Sequence, residues 1–262
     1  MLNKLLKYDL KWVHKPLIIF YILAIIFSIF VRIVENFEST LILLIIDKIC
    51  CGVVISMCIS ILVNCLMRNF ARFIKNIYKD ESYLTHTLPV SKNKIFLSKI
   101  LTSIITLLTS VIVIVICLAI CTLNKDTWIL LKETLESSAI YFNSSVFSLI
   151  LVMITAIFFE FLFMMLSGIL GIIIGHKSNN LKIIKSILIG FIIYILLSIL
   201  SVGILYILGL VIPDVMNIFN STLVNSNTLK TVMIIGIVIY AIYNIGIYYV
   251  GKILLNKGVD VD

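Results

Sequence analysis

Long uninterrupted apolar runs constrain the fold of this chain more than any other feature. A transmembrane helix needs about 20 consecutive, mainly apolar residues to cross about 30 Å of hydrocarbon. Runs of this kind lie at about residues 17–34, 45–67, 96–121, 145–174, 187–211 and 231–250. Apolar residues make up 61% of the chain and charged residues 13%, against about 45–50% and 25% in soluble domains. The sequence therefore predicts an all-α integral membrane protein, with six transmembrane helices in a single domain over residues 1–262.

The residues before the first run have a different pattern, which is amphipathic at helical spacing. The polar arc of this helix comprises Asn3, Lys4, Lys7, Lys11, His14 and Lys15. Leucines, Tyr8 and Trp12 cover the opposite arc. A basic face opposite an apolar face that carries Trp is typical of a helix lying in the headgroup plane. Residues 1–15 are therefore predicted to form an interfacial helix, which Pro16 ends.

Asp9 breaks the amphipathic pattern, because it lies in the middle of the apolar arc. Two interpretations are open. The carboxylate pairs with a neighbouring lysine or extends towards water, or it bonds a group on the adjoining transmembrane bundle.

The basic residues indicate the orientation in the membrane. If the N-terminus is cytosolic, all but five of the 21 Lys and Arg residues fall on the cytosolic side. The five exceptions are Arg32, Lys48, Lys125, Lys132 and Lys230. An excess of Lys and Arg marks cytoplasmic loops, so both termini are expected in the cytosol. The net charge of +8 is then explained by topology and anionic lipid, and nucleic acid is not an expected partner.

The most polar stretch of the chain runs from Lys79 to Lys92, inside a cytosolic segment over residues 68–95. The residues at helical spacing that predict an amphipathic helix after the second span are Phe70, Phe73, Ile74, Ile77 and Tyr78. Asp80 and Glu81 interrupt this helix, and Pro89 favours an extended turn. Ser91 is a good N-cap for the helix that leads into the third span.

Glu160 lies within the fourth run, between phenylalanines. Ionisable residues inside membrane spans are rare and mark functional sites by default. Three interpretations are open for Glu160. It is protonated and bonded to a neighbouring helix, it lines a solvated cavity or a subunit interface, or it takes part in a proton relay.

Small polar side chains recur along the third span, and aromatic polar ones along the sixth. The third-span stripe comprises Ser98, Thr102, Thr106, Thr109, Ser110, Cys117 and Cys121. The sixth-span set comprises Tyr240, Tyr243, Asn244 and Tyr248. Such stripes form packing seams between membrane helices, or they face a translocation path. Thr102, Thr106, Tyr240 and Asn244, together with Glu160, are therefore candidates for the substrate path or a subunit interface.

The stretch from Gly171 to Ser178 has a superficial likeness to a phosphate-binding loop. Such a loop requires Gly-x-x-x-x-Gly-Lys-Ser/Thr after a strand, and here His176 displaces the spacing at the end of a membrane span. Gly171 and Gly175 instead form Gly-x-x-x-Gly, with Gly168 one turn earlier. This pattern predicts a close helix-packing face.

Catalytic and metal-binding patterns find little support. The histidines are scattered at positions 14, 86 and 176, and no zinc-binding or serine-hydrolase motif occurs. All six cysteines lie in apolar runs without metal-ligand spacing, so they are expected to behave as small apolar residues. We therefore expect a protein without catalytic activity of its own, a metal site or a directly bound cofactor.

Between the second span and the start of the third, the chain reads Asp80-Glu81, Tyr83-Leu84, Thr87-Leu88-Pro89-Val90-Ser91-Lys92 and Ser98-Lys99. This arrangement resembles that of permease subunits of ABC-2 type exporters. The resemblance extends to the N-terminal amphipathic helix and the six spans. In this family the N-terminal helix is an elbow helix in the inner-leaflet interface. The loop between spans two and three carries a coupling helix that docks onto a separate ATPase subunit, which binds ATP-Mg.

The resemblance implies a set of ATPase-docking residues in this chain. They are Phe73, Ile77, Tyr78, Asp80, Glu81, Tyr83, Leu84 and Leu88. It also implies a bacterial cytoplasmic membrane, a second permease copy or paralogue, and a cytosolic ABC ATPase as partners.

Two functions of different classes follow from the sequence, and a third is kept beside them. The first is the membrane subunit of an ATP-driven exporter. Its short outer loops favour substrates met near the bilayer, such as amphipathic peptides, bacteriocins, toxins or lipophilic drugs. The second is a non-transporting scaffold or sensor that recruits a cytosolic protein, and the third is an intramembrane enzyme centred on Glu160.

Overall fold

A computed structural model describes residues 1–35, 41–122, 125–178, 180–220 and 226–257 of the chain. Every regular element within these ranges is a helix. In chain order they are α1 (Leu2–Glu35), α2 (Leu41–Ile77), α3 (Ser82–Thr87), α4 (Lys92–Thr122), α5 (Lys125–Tyr141), α6 (Val146–Gly175), α7 (Lys182–Val211), α8 (Pro213–Asn220) and α9 (Ser226–Asn256).

Six of the described helices are long and apolar enough to cross a membrane: α1, α2, α4, α6, α7 and α9. Five of them contain a predicted apolar run, and α6 covers the run at 145–174 except for its N-cap Ser145. The prediction of an all-α chain with six candidate spans is therefore confirmed, and the chain has the character of a multi-pass membrane protein. The helices extend beyond the apolar runs, because helical hydrogen bonding continues into the flanking polar residues.

The predicted helix end at Pro16 is wrong, since α1 continues through this proline from Leu2 to Glu35. Proline removes one helical hydrogen bond, but membrane helices tolerate it where neighbouring groups satisfy the backbone. Polar side chains before Pro16 also bond to other helices. The His14 Nε2 atom, for example, lies 3.1 Å from the Thr109 hydroxyl on α4. The first turns of α1 are thus held against α4, and no separate elbow helix is present.

Two of the connections between the predicted apolar runs contain helices. α5 (Lys125–Tyr141) lies between the third and fourth runs, and α8 (Pro213–Asn220) lies between the fifth and sixth. In α5, Leu, Glu and Lys favour a helix intrinsically, although they form no long apolar run. α8 begins at Pro213, whose fixed φ suits the first position of a helix.

The chain divides into two compact units. Unit 1 consists of Met1–Asn76 and Leu88–Lys132, and unit 2 consists of Ile77–Thr87 and Glu133–Asp262. In unit 1, α1 packs along α4. Its buried residues recur every three or four positions, and they include Asp9, Val13, Leu17, Tyr21, Ala24, Ser28 and Val31. This spacing places them on one face of the helix.

Unit 2 is built on α6, which packs against both α7 and α9. The second half of α6 is buried, and Phe163, Met165, Ile169 and Ile173 are among its fully enclosed side chains. α7 is mostly exposed, because its buried residues are the small side chains Ser186, Gly190 and Gly209. The remaining Ile and Leu residues of α7 suit a lipid environment, which is as apolar as they are.

Candidate functional site

The segment predicted to dock an ATPase begins at the end of α2 and includes the short helix α3. Phe73, Ile77 and Tyr78 are only 1–3% exposed, so these side chains are not available to a docked partner. This burial corrects the predicted docking set. The three residues support the segment from inside, and the Phe73 ring packs edge-on against Phe96 of α4, with 6.3 Å between the ring centroids.

The remaining predicted docking residues lie at the surface. Tyr83 is 76% exposed and Leu84 is 66% exposed on α3. Leu88, which follows α3, is 42% exposed. Asp80 is exposed and Glu81 is half-buried.

Over its first four residues, α3 has the reverse of the polarity that water favours. The side chains of Ser82 and Thr85 are buried, at 3% and 4% exposure, while Tyr83 and Leu84 point outwards. Thr87, at the end of the helix, is exposed. The Thr85 hydroxyl donates to the Glu81 carbonyl at 2.9 Å, so this hydroxyl has a hydrogen-bond partner although the residue is buried. The exposed side chains of Tyr83 and Leu84 are available for contact with a partner or with lipid.

The start of this segment packs against the connection between α6 and α7. Tyr78 stacks on His176, with 4.2 Å between ring centroids and 25° between ring planes. His176 is the C-cap of α6 and is 1% exposed. Its Nδ1 atom lies 3.0 Å from the Ile172 carbonyl oxygen and 3.2 Å from the Ser186 hydroxyl of α7. One aromatic stack therefore ties residues 77–87 to the ends of two candidate spans.

Gly171 and Gly175 lie where α6 crosses α7 at very short range. A Cβ atom added at Gly171 would lie 2.5 Å from the Gly190 Cα and 2.6 Å from the Ser186 carbonyl oxygen. One added at Gly175 would lie 2.5 Å from the Ser186 Cα. Gly168 also lies close to Gly190, because a Cβ atom added at Gly190 would be 3.2 Å from the Gly168 Cα. Small residues let the two backbones approach, as in other membrane helix pairs.

Asp9 forms a buried ionic cluster in unit 1. Its Oδ1 atom accepts from the Arg72 Nε atom at 2.8 Å and from the Lys99 Nζ atom at 2.6 Å. Its Oδ2 atom accepts from the Ser98 hydroxyl at 3.0 Å. The four side chains are 1–9% exposed, and the Arg72 guanidinium also lies 5.4 Å from the centre of the Trp12 ring. Of the two interpretations of Asp9, the bond to the adjoining bundle is the one observed.

A second polar layer of unit 1 surrounds Asn69, which is 4% exposed. Its amide nitrogen donates to the Cys65 carbonyl at 2.8 Å and to the Thr106 hydroxyl at 3.0 Å. Its amide oxygen accepts from the Ser103 hydroxyl at 3.2 Å. Thr102 and Thr106 are buried at 1% and 0% exposure. Their hydroxyls bond to backbone carbonyls of their own helix, so both threonines lie in a packed interior.

Glu160 is the fifteenth of the 30 residues of α6 and is exposed. An ionised acidic side chain at the centre of a span costs about 2.5–3.5 kcal/mol on insertion scales. Within the part of the chain that the structure describes, the Glu160 carboxyl group has no hydrogen-bond partner. The interpretation in which Glu160 bonds a neighbouring helix is therefore not observed within these residues.

Aromatic rings from three helices meet one turn after Glu160. The Phe163 ring of α6 lies 5.2 Å from the Tyr194 ring of α7, 5.3 Å from the Tyr240 ring and 5.8 Å from the Tyr243 ring of α9. Asn244 of α9 donates from Nδ2 to the Phe159 carbonyl at 3.3 Å. Glu160, Tyr240 and Asn244 thus share one region of unit 2, whereas Thr102 and Thr106 belong to unit 1.

Several of these contacts had no signal in the sequence. The partners of Asp9 lie 63 and 90 residues away, and a single sequence contains nothing that pairs them. Phe163 and Tyr194 look like ordinary residues of apolar spans. Tyr243 belongs to the polar set of the sixth span, but no spacing rule connects it with α6.

Within the described residues, no group of three or more His, Cys, Asp or Glu side chains could hold a metal ion. Comparisons of the chain with protein-family models, with curated proteins and with solved structures found no match.

Proposed function

We propose that this chain is the membrane-spanning permease subunit of an ATP-driven exporter of the ABC-2 type. In this proposal a separate cytosolic ATPase binds and hydrolyses ATP-Mg, and this chain hydrolyses nothing itself. The working exporter contains a second permease, either a copy of this chain or a paralogue. The substrate is an amphipathic peptide, a bacteriocin or toxin, or a lipophilic drug that leaves the cell.

The observation that carries the proposal is the reversed polarity of the first four residues of α3. Tyr83 and Leu84 are exposed while Ser82 and Thr85 are buried, in the one polar segment that resembles a coupling loop. Interfaces are enriched in Tyr at their centres. A partner that covers Tyr83 and Leu84 would remove both side chains from water, and the carboxylates of Asp80 and Glu81 would lie beside the contact.

The contacts that hold α3 to unit 2 can transmit a movement of α3 to the ends of α6 and α7. Residues 77–87 are held to His176 by the stack with Tyr78, and His176 ends α6 beside the start of α7. A partner that moves α3 therefore acts on the ends of two spans through packed groups. Transitions of this kind occur when two packings of rigid elements differ modestly in free energy.

The orientation belongs to the same proposal. The N- and C-termini lie in the cytosol of a bacterium, and the chain lies in its cytoplasmic membrane. The distribution of Lys and Arg supports this orientation, since these residues are in excess in cytoplasmic loops. In this orientation the docking segment faces the side where ATP is available.

Co-purification with an ABC ATPase subunit encoded beside this chain tests the proposal. We expect Leu84→Glu to reduce recovery of the ATPase by at least about tenfold, and charge reversal of Asp80 and Glu81 together to reduce it as well. A charge placed in an apolar contact loses well over 1.4 kcal/mol, which corresponds to tenfold in affinity. Membrane insertion should be unchanged in both variants.

Leu130→Glu provides the matched control, because Leu130 is equally exposed, at 62%, but lies on α5. Recovery of the ATPase should be normal with this variant. If Leu84→Glu and the charge-reversal variant both recover as much ATPase as the wild type, α3 is not the docking site. If the chain binds a partner without a nucleotide site through α3, the scaffold or sensor function replaces the exporter.

A further inference from the structure

Glu160 presents an acidic group at the middle of a candidate span. It is exposed at the midpoint of α6, and the described residues contain no hydrogen-bond partner for it. Ionisable groups at this depth are almost always paired or face a polar cavity. The position of Glu160 therefore calls for a group of opposite charge that is not part of the described residues.

The surroundings of Glu160 provide aromatic faces. Tyr194 and Tyr240 are half-buried, and their rings flank the buried Phe163 ring one turn along α6. Glu160 precedes Phe163 by three residues, so the two side chains are neighbours along α6. A carboxylate beside ring faces is an arrangement that favours organic cations, because the ring quadrupole attracts positive charge.

Two buried oxygen atoms in the same region have no hydrogen-bond partner among the described residues. They are the amide oxygen of Asn244 and the hydroxyl of Tyr243. Asn244 is 6% exposed, and its nitrogen bonds the carbonyl of Phe159, the residue before Glu160. Native proteins rarely leave such atoms unsatisfied. Both oxygen atoms are enclosed, so they add polar groups near Glu160 without being contacts for a ligand.

We propose that Glu160, Tyr194 and Tyr240 form a binding site for the ammonium or guanidinium group of an apolar cation. This inference rests on the proposed export function and specifies its substrate class. The cargo is an amphipathic molecule that carries a primary amine or a guanidine, such as a peptide with Lys or Arg beside apolar residues. Glu160 pairs with the cationic group, the tyrosine rings cover it, and the apolar body remains in contact with α6, α7 and α9.

A lipid headgroup is a second source of the same chemistry. Phosphatidylethanolamine carries a primary ammonium, but its headgroup lies in the interface, about 15 Å from the bilayer centre. Glu160 is at the midpoint of its helix, so the depth favours a molecule that can bring its cationic group into the hydrocarbon region.

Binding of dansylcadaverine to the full chain in nanodiscs tests the proposal. This probe carries a primary ammonium on an apolar fluorophore, and dansylamide is the matched probe without the amine. We expect Glu160→Gln to weaken dansylcadaverine binding by about tenfold, since a charge-assisted hydrogen bond is lost. Dansylamide binding should not change. Glu133→Gln on α5 removes the same charge from another exposed position and should bind both probes like the wild type.

The ring contribution is tested at Tyr240. Tyr240→Leu should weaken dansylcadaverine binding by about threefold, whereas Tyr240→Phe keeps the ring and should remain within about twofold. This pair also decides the matter if Glu160→Gln cannot be purified as a monodisperse protein. Equal binding of the amine by wild type and Glu160→Gln, or by Tyr240→Leu and Tyr240→Phe, overturns the proposal.

Two further comparisons are needed. One distinguishes a cargo cation from a lipid headgroup, and the other distinguishes failure of the cation site from failure of the exporter function. Nanodiscs with and without phosphatidylethanolamine should bind the probe equally, and competition by this lipid would assign the site to a headgroup and overturn the assignment to cargo. The assay needs neither ATP nor an ATPase. Failure of probe binding with normal ATPase co-purification would therefore remove the cation site alone, whereas failure of ATPase docking with normal probe binding would remove the exporter.

Discussion

The two units of this chain differ in the environment of an acidic residue within an apolar helix. In unit 1, Asp9 is 2% exposed and is bonded to Arg72, Lys99 and Ser98. In unit 2, Glu160 is exposed, and the helices are held by the close crossing of α6 and α7 at Gly171 and by aromatic rings.

This difference separates polar groups that hold the structure from polar groups that remain accessible. Unit 1 uses its polar side chains for stability, so removal of one leaves its buried partners unsatisfied. Unit 2 achieves its packing with small and aromatic residues, so its acidic group can serve a ligand. Substitutions in the two units should therefore affect stability and binding in opposite proportions.

The largest effect is expected at Asp9. Asp9→Ala removes the carboxylate that the buried Arg72 and Lys99 side chains share. Removal of one partner of a buried ion pair costs about 3–5 kcal/mol. Thermal unfolding of the purified protein in detergent should show this loss. Asp9→Glu keeps the charge and should be less damaging than Asp9→Ala, and a loss below about 1 kcal/mol for the alanine variant would show that the cluster does not stabilise unit 1.

The next effect is steric and belongs to unit 2. Gly171→Ala places a Cβ atom against the backbone of Gly190, where no side-chain rotation can relieve the overlap. Overpacking of this kind typically costs about 1–3 kcal/mol, measured as a lower midpoint of thermal unfolding. Gly203→Ala on α7 is the control, because a Cβ there meets nothing within 4 Å. Equal stability of the two variants would mean that the helices do not cross as closely as described.

A smaller effect is expected from the Asn69 layer of unit 1. Asn69→Leu removes hydrogen bonds to Thr106 and Ser103. Interhelical hydrogen bonds in membrane proteins average about 0.6 kcal/mol and reach about 1.7 kcal/mol. Asn64→Leu, which removes one bond within a single helix, should cost less in the same unfolding assay. If Asn64→Leu costs more, side-chain bonds between helices are not what holds this layer.

The smallest change in stability is expected at Glu160. Glu160→Gln removes a charge that has no described partner, so the free energy of unfolding should change by no more than about 0.5 kcal/mol. Its effect should appear in ligand binding instead. Strong destabilisation by this variant would mean that the two acids play the same structural role, and the contrast between the units would be lost.

The six candidate spans could be predicted because hydrophobic length is a local property of the sequence. The same reasoning failed at Pro16, where the side-chain bonds made by α1 to other helices outweigh a lost backbone hydrogen bond. It also missed α5, whose residues favour a helix without forming an apolar run.

The resemblance named Tyr83 and Leu84 as docking residues. Both side chains are exposed, and their contact with an ATPase stays a prediction. The same resemblance included Phe73, Ile77 and Tyr78, which are buried, because helical spacing does not say which face of a helix is covered. The Asp9 cluster and the rings around Phe163 depend on contacts between distant residues, which one sequence does not contain.

Site-specific photo-crosslinking from position 84 tests the central claim most directly. A photoreactive amino acid in place of Leu84 should crosslink in cells to a subunit with an ATP-binding loop, and one in place of Leu130 should not. We expect this crosslinked product to be lost in the Tyr83→Ala variant, because Tyr83 is the exposed neighbour of position 84. A crosslink from position 84 to lipid alone, or to a protein without a nucleotide site, would contradict the claim that this chain couples an ATPase to a membrane path.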